Sequence, residues 1–254
     1  MSAQIRFLLL PLATMLVSAS DMPTLVPDVS QRQIDIKYSF KGEELLLFGA
    51  IVYPGGRIPT KAPDIVVVLK GPEQPIKMRE KQKVAGIWVN ADSIRFQSAP
   101  SFYAIASSRP IRDIADERTA AIYELGIDNI QLSPVSFNDA QEIHRFETGL
   151  VDLQRRKGLF VQKPGTIEIT DKILYRATLP LAARALVGNY TAETFLVQDG
   201  RVVASAIRDI VVRKSGFERF VTMASEKWSF LYGLAAMSLA VAMGWTAGLV
   251  GRRI

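Results

Sequence analysis

The N-terminal third of the chain alternates short apolar runs with turn residues. In "RQIDIKYSF", Ile34, Ile36, Tyr38 and Phe40 fall on one face at period two, and Lys41-Gly42 offers a turn after them. "ELLLFGAIVY" and "DIVVVLK" follow as apolar runs bounded by Pro and Gly. "PIKMREKQKVAGIWVN" and "SIRFQSAPSFYAIASS" come next, separated by the turn-like "NADS". Five or six short strands in so little chain predict a β-sandwich of immunoglobulin-like type over residues 31–108.

The period then changes. Ile111, Ile114, Ala115, Ile122 and Leu125 share one helical face. A second helix is expected from Ser136 or Asn138, burying Ile143, Phe146, Leu150 and Leu153 and stopping at Lys157-Gly158. This gives a helical segment over 109–160. Strands return in "TIEIT", "ILYRATL" and "AETFLVQDGRVVASAI", where Asp199-Gly200 is the strongest hairpin signal in the chain. Residues 164–214 are expected to form a second, smaller β unit, a sandwich or a sheet backed by the two helices. The fold class is therefore mainly β (α+β): two small β units with a two-helix segment between them.

A juxtamembrane helix is expected over 215–227, and residues 228–251 are uncharged. Some 24 residues at about 1.5 Å each cover about 36 Å, enough for the ~30 Å hydrocarbon core of a bilayer. Trp228, Tyr232 and Trp245 sit toward the two ends, and Arg252 and Arg253 close the segment. At the other terminus Arg6 precedes an apolar run from Phe7 to Val17 that is too short to span, and Val17-Ser18-Ala19 fits the cleavage rule for such a segment. Residues 1–19 read as a removable secretory signal. With the two arginines held in the cytoplasm, the expected layout is single-pass in a bacterial inner membrane. Residues 20–227 would lie in the periplasm and 252–254 would form a cytoplasmic tail.

That layout changes the meaning of the formal charge of +6. Setting aside Arg6, Arg252 and Arg253 leaves 28 basic against 25 acidic residues, a balance of +3 that does not argue for nucleic acid. The chain has no cysteine, which removes disulfides, thiolate metal ligands, a cysteine nucleophile and cysteine lipidation.

Candidate chemistry is sparse. His144 is the single histidine, and there is no Gly-x-Ser-x-Gly elbow, His-Glu-x-x-His pair, Ser-x-x-Lys dyad or glycine-rich phosphate loop. No catalytic residue, cofactor or metal is expected. His144 lies at the margin of the second helix's apolar stripe with Glu147 one turn on, either a proton-responsive pair or an ordinary boundary residue. Arg118, projected onto a helix starting at Ile111, falls about 20° from the centre of its apolar face at 100° per residue. Such a guanidinium needs a buried acid, or it binds an oxyanion together with Ser107, Ser108 and Arg109.

Two surfaces remain. Read as a strand, "IKMREKQKV" turns Lys77, Arg79, Lys81 and Lys83 to one face. Such a ladder suits lipid phosphates, an anionic polymer or an acidic partner, and it equally protects an exposed strand from edge pairing. Within the span, Ala236, Ala240, Gly244 and Gly248 recur every four residues, a stripe that lets a second helix approach closely.

"FGAIVYPGG", "GIWVN" with "PSFYAIASSRP", "VGNYTAETFLVQDGRVV" and "YGLAAMSLAVAMGWTAGLVGRR" resemble the alphaproteobacterial transmembrane-protein family Alph_Pro_TM, over nearly the whole chain from about Gln31. The resemblance implies an envelope protein with one C-terminal membrane helix, and it supplies no catalytic residue. It also suggests a permease of sulfite-exporter type as a partner. The expected role is a non-enzymatic accessory or binding subunit of an inner-membrane complex, in contact with the bilayer and with a membrane protein or a second copy of itself. The alternative is an envelope enzyme or solute-sensing module using arginine and carboxylate groups between the β units.

Overall fold

The computed structural model describes residues 22–36, 43–135, 139–214 and 217–251. The expected signal segment 1–19 and cytoplasmic tail 252–254, Tyr38 and Phe40 of the first expected strand, and the expected helix start at Ser136 or Asn138 lie outside the described residues. In chain order the elements are β1 (Thr24–Val29), β2 (Gln33–Ile36), β3 (Glu43–Val52), β4 (Asp64–Lys70), β5 (Glu73–Val84), β6 (Ile87–Pro100) and β7 (Tyr103–Ser107). They continue with α1 (Ile111–Ile114), α2 (Glu117–Ile122), β8 (Ser133–Pro134), α3 (Ala140–Arg156), β9 (Phe160–Pro164), β10 (Ile167–Thr170) and β11 (Leu174–Leu181). The last are β12 (Gly188–Gln198), β13 (Arg201–Lys214), α4 (Phe217–Lys227) and α5 (Ser229–Gly251).

The class is mainly β, as the alternating runs predict, but the strands are not divided into two units along the sequence. Of three sheets among the described residues, one has the order β1-β3-β11-β10 and a second β2-β13-β12-β4-β7-β9, so each of these takes strands from both expected units, while the third is β5-β6-β8. The reason lies in β4 and β7. Every residue of "IVVVL" in β4 is at most 1% exposed. Ile65, Val67 and Leu69 turn inward with Phe102, Ala104 and Ala106, against Leu45, Leu47, Ile51, Tyr175 and Leu179 of the four-stranded sheet. Val66 and Val68, with Tyr103, Ile105 and Phe195, turn outward and are covered by Ile111, Ile114, Ala120, Leu125 and Ile127. A strand apolar on both faces must lie in the middle of a sheet with a layer on each side. Here β12 from the C-terminal half supplies one neighbour and β7 the other.

The expected long helix from Ile111 is also broken. α1 stops after four residues, Ala115 is extended and bridges to Gly200, and Asp116 starts α2 by accepting from the Thr119 amide at 2.6 Å. The N-cap signal Asp-x-x-Thr outweighs the apolar periodicity. α3 buries Phe146 and Leu150 as expected, with Gln154 in place of Leu153, which is exposed. It ends at Lys157 with Gly158 at φ +70, as the Lys-Gly pair predicts.

The β4–β7 pair does not end with the sheet. Lys70 pairs with Tyr103, the Gly71 amide donates to Phe102 O, the Ser101 amide donates to Pro72 O, and Glu73 pairs with Pro100. β5 and β6 therefore extend β4 and β7 as one antiparallel ribbon, interrupted by bulges after Gln74 and Glu80, to a turn at Ala85-Gly86. The twelve residues of β5 reach roughly 40 Å. The expected turn "NADS" is instead inside β6, where Ala91 is the extra residue of the second bulge. Where the ribbon leaves the sheet the backbone is tightly enclosed: a Cβ on Gly71 would lie 2.8 Å from Ser101 Oγ and 2.9 Å from Phe102 Cβ. β4 and β13 are both antiparallel to β12, so they run the same way. The ribbon and the chain leading to α4 and α5 thus leave the sheet at one end.

Because the sheets are shared, residues 22–108 expressed alone should remain unfolded by circular dichroism. In the full chain in detergent, Leu69→Ala should cost about 2–5 kcal/mol in a single urea transition. A folded 22–108 fragment would restore the two-unit division.

Candidate functional site

The ribbon has two chemically different faces, set by strand alternation. Even-numbered residues of β5 face α3: Ile76 and Met78 pack with Ile94, Phe96, Ile143, Phe146 and Leu150 as a small separate core. Further out on this face, Arg145 of α3 reaches Glu80 at 3.1 Å and Asp92 at 3.4 Å, with its guanidinium 5.4 Å from the Phe146 ring centre. Odd-numbered residues carry the predicted ladder. Lys77, Arg79, Lys81 and Lys83 are all exposed, and their cross-strand partners are Arg95, Ser93, Asn90 and Trp88. Arg95 adds a fifth cation to this face. None of the five forms an ion pair among the described residues, whereas the acids of the ribbon's middle are taken up by Arg145 on the other side.

Beyond Arg145 the ribbon ends in an apolar tip. Val84, Ile87, Trp88 and Val89 are 54, 68, 66 and 41% exposed. The turn has φ +49 at Ala85 and φ +86 at Gly86, the left-handed pair that a two-residue hairpin requires. The same turn at Asp199-Gly200 uses the usual acidic residue at φ +48. Ala85 lacks the side-chain oxygen that normally eases this conformation.

The other predicted residues are placed separately. Ser108 and Arg109 converge on Asp64: Ser108 Oγ donates to Oδ1 at 2.9 Å, Arg109 Nε donates to Oδ1 at 2.9 Å, and Arg109 Nη2 lies 2.5 Å from Oδ2. Burial pushes the Asp64 carboxyl up, but the hydrogen bonds from Arg109 and Ser108 and the charges of Arg109 and Lys61 outweigh it and hold the group below the ordinary carboxylate range. This clamp ties the start of β4 to the end of β7 and leaves Arg109 engaged. Ser107 is buried, and its carbonyl accepts from the Gly165 and Thr166 amides. Arg118 is exposed on α2, in neither a buried pair nor the Ser-Arg cluster. The projection placed it inward because it assumed one helix where Asp116 starts a second. His144 is exposed on α3.

Sequence reasoning missed a second polar cluster at the opposite end of β4. Lys70 Nζ lies 2.6 Å from Glu124 and 3.7 Å from Glu193, while Tyr103 donates to Glu124 O at 2.6 Å and accepts from the Gly126 amide at 3.1 Å. Burial raises the Tyr103 hydroxyl well above the ordinary phenol range, so it stays a neutral donor. Glu124 and Glu193 are 54 and 123 residues away from Lys70 in sequence, and no local motif joins them. The cluster is saturated and holds the loop after α2 on the sheet. A cleft of about 400 Å³ on the four-stranded sheet is lined by Leu46, Phe48 and Leu174 with the polar Glu168, Thr170, Tyr175 and Arg176. No cluster of three or more metal-ligating side chains occurs among the described residues.

α5 is uncharged over Ser229–Gly248, with a mean hydropathy of 1.5 and none of that stretch buried. Its 23 residues cover about 35 Å. Ala236, Ala240, Gly244 and Gly248 are exposed, and a Cβ added at Gly244 or Gly248 would meet nothing within 4 Å.

A family model described as "Putative transmembrane protein (Alph_Pro_TM)" matches residues 24–253. No curated protein matches the chain. Among solved structures, the chain is similar to Spo0M, sporulation control protein, from Bacillus subtilis, at 13% identity and a TM-score of 0.32, covering 82% of this chain and 56% of that one. The chain thus spans little more than half the length of that protein.

Two outcomes follow from the clamp and from Arg118. Because the folded state holds the Asp64 carboxyl below its unfolded value, its contribution to stability is present above the ordinary carboxylate range and is lost as the pH falls toward the folded value. Asp64→Asn should flatten that part of the acid unfolding profile. Arg118→Met should change stability by less than about 0.5 kcal/mol, as for an exposed site without special contacts.

Proposed function

This chain belongs to the Alph_Pro_TM family of transmembrane proteins, and from that premise we propose that it is a single-pass accessory or binding subunit of an inner-membrane complex, without enzymatic activity of its own. α5 spans the bilayer, the β-rich part lies in the periplasm, and the C-terminus lies in the cytoplasm. The observation that carries this reading is that α5 is apolar on every side and that no residue of its apolar stretch is buried in its own chain. A helix of that kind is stable with lipid around it and helices of other chains against it. The small-residue stripe is the face on which another backbone approaches most closely. The polar clusters support the non-enzymatic side of the reading: Arg109, Asp64, Lys70 and Glu124 are each engaged with one another as closed pairs.

Gly244→Ile and Gly248→Ile keep the helix apolar but hold a neighbouring backbone away. They should abolish co-purification of a membrane protein or a second copy while leaving expression and membrane extraction unchanged, whereas Leu239→Ile should leave association intact. Undiminished association in the Ile variants would reduce α5 to a tether. Protease added to spheroplasts should digest the β-rich part and leave a small C-terminal fragment. A fully protected chain would overturn the orientation.

A further inference from the structure

The ribbon formed by β5 and β6 combines features that edge protection does not explain. Charges along a strand discourage edge pairing, but protection by charge would extend to the tip, where strand edges are most accessible. Here the order is reversed. The shaft is cationic on one face through Lys77, Arg79, Lys81, Lys83 and Arg95, and the last turn is wholly apolar through Val84, Ala85, Gly86, Ile87 and Val89, with Trp88 directly across from Lys83. An apolar patch on a projecting element, rimmed by one sign of charge, marks an interaction site. The turn itself points the same way: Ala85 occupies a left-handed position that Asp199 occupies in the sister turn, so a polar atom is omitted where the backbone favours one.

We propose that this ribbon is a second membrane contact: its tip enters the headgroup region of the bilayer in which α5 is anchored, and its cationic face lies against anionic lipid phosphates. The proposal rests on the reading of α5 as a spanning helix. Charge selects the occupant. Five cations without a carboxylate partner among the described residues complement a uniformly anionic surface, and a tryptophan beside them has its preferred position at the interface between headgroups and acyl chains. Topology makes it reachable. β4 and β13 run in the same direction, Gly188 pairs with Val212 near the end of β13, and the same Gly188 lies against Pro72 at the root of the ribbon. Ribbon and anchor thus leave the sheet side by side. α4 has eleven residues, two more precede it and Trp228 follows it, which separates the sheet from the start of α5 by at most about 30 Å, less than the roughly 40 Å of the ribbon. A ribbon longer than its tether lies obliquely along the bilayer, with a face as well as a tip available to it. α3, through Arg145 on Glu80 and Asp92, braces the opposite face and offsets part of the charge of the two acids there, which face away from the cationic side.

The chain has no cysteine, so a single introduced thiol reports one position. Full-length protein carrying Ile87→Cys labelled with an environment-sensitive nitrobenzoxadiazole dye would be reconstituted in vesicles of phosphatidylcholine with a minor fraction of phosphatidylglycerol. The dye should shift to the blue and be quenched by nitroxide-bearing lipid several-fold more than the same dye at Thr60→Cys, an exposed loop site before β4 and so at the other end of the sheet. Replacing Lys77, Arg79, Lys81 and Lys83 together by Gln should lower the ratio of docked to undocked ribbon on the order of a hundredfold or more. A dye at residue 87 that stays open to aqueous iodide overturns the proposal. Shielding from iodide without quenching by lipid also overturns it, in favour of a protein contact, and equal quenching in purely zwitterionic vesicles overturns the role of the cations. A dye at Leu239→Cys, quenched by lipid in every preparation, keeps the anchor separate: its failure would count against the spanning helix, and its success beside an exposed residue 87 against the ribbon alone.

Discussion

Burial of β4 on both faces is the constraint on which the rest of the structure depends. Five consecutive apolar side chains leave no face for water, so the strand needs a neighbour on each edge and a layer on each side. The four-stranded sheet supplies one layer, the segment of α1 and α2 the other, and β12 and β7 the two edges. The chain is thereby compelled to return from its C-terminal half to complete a sheet begun in its N-terminal half. The polar groups at the ends of β4 reinforce this: Asp64 is held by Ser108 and Arg109 at one end, and Lys70 by Glu124 and Glu193 at the other.

The same strand pair determines what projects. β4 and β7 keep their pairing past the sheet, and once the flanking strands end, the ribbon is joined by the short β8 at one edge and covered by α3 on one face. One face is therefore a small core and a braced ion-pair set, and the other is available to solvent or to a charged surface. Direction follows from the sheet order rather than from any local signal, because β13 and β4 share a neighbour and hence an orientation.

The described residues hold several closed polar pairs and one open charged face, and that contrast weighs in the functional reading. An arginine held at two nitrogens by a partly buried aspartate has a structural role, since its donors are already directed at a fixed partner. Cations with no partner keep their hydration and their long-range field, and act on whatever approaches them. In a chain of the Alph_Pro_TM family, whose C-terminal helix is uncharged, a bilayer is the surface always within reach.

By itself the sequence determined the mainly-β class, the apolar span, the end of α3 at Lys157-Gly158, the hairpin at Asp199-Gly200 and the solvent exposure of Lys77, Arg79, Lys81 and Lys83. Each rests on local physics: alternation, an uninterrupted apolar length, a left-handed glycine or a run of charges. The partition of strands between sheets, the break after Ile114, the place of Arg118 and the Lys70–Glu124–Glu193 cluster were decided by tertiary structure. Apolar runs record that a strand is buried but not which strand lies beside it, and an Asp-x-x-Thr cap is weighed against a helical stripe only when both have to be packed. The apolar tip was written plainly as "VAGIWV", yet only the continuity of the ribbon puts it at the far end of an arm, because hydrogen bonds between strands distant in sequence decide where a sheet stops.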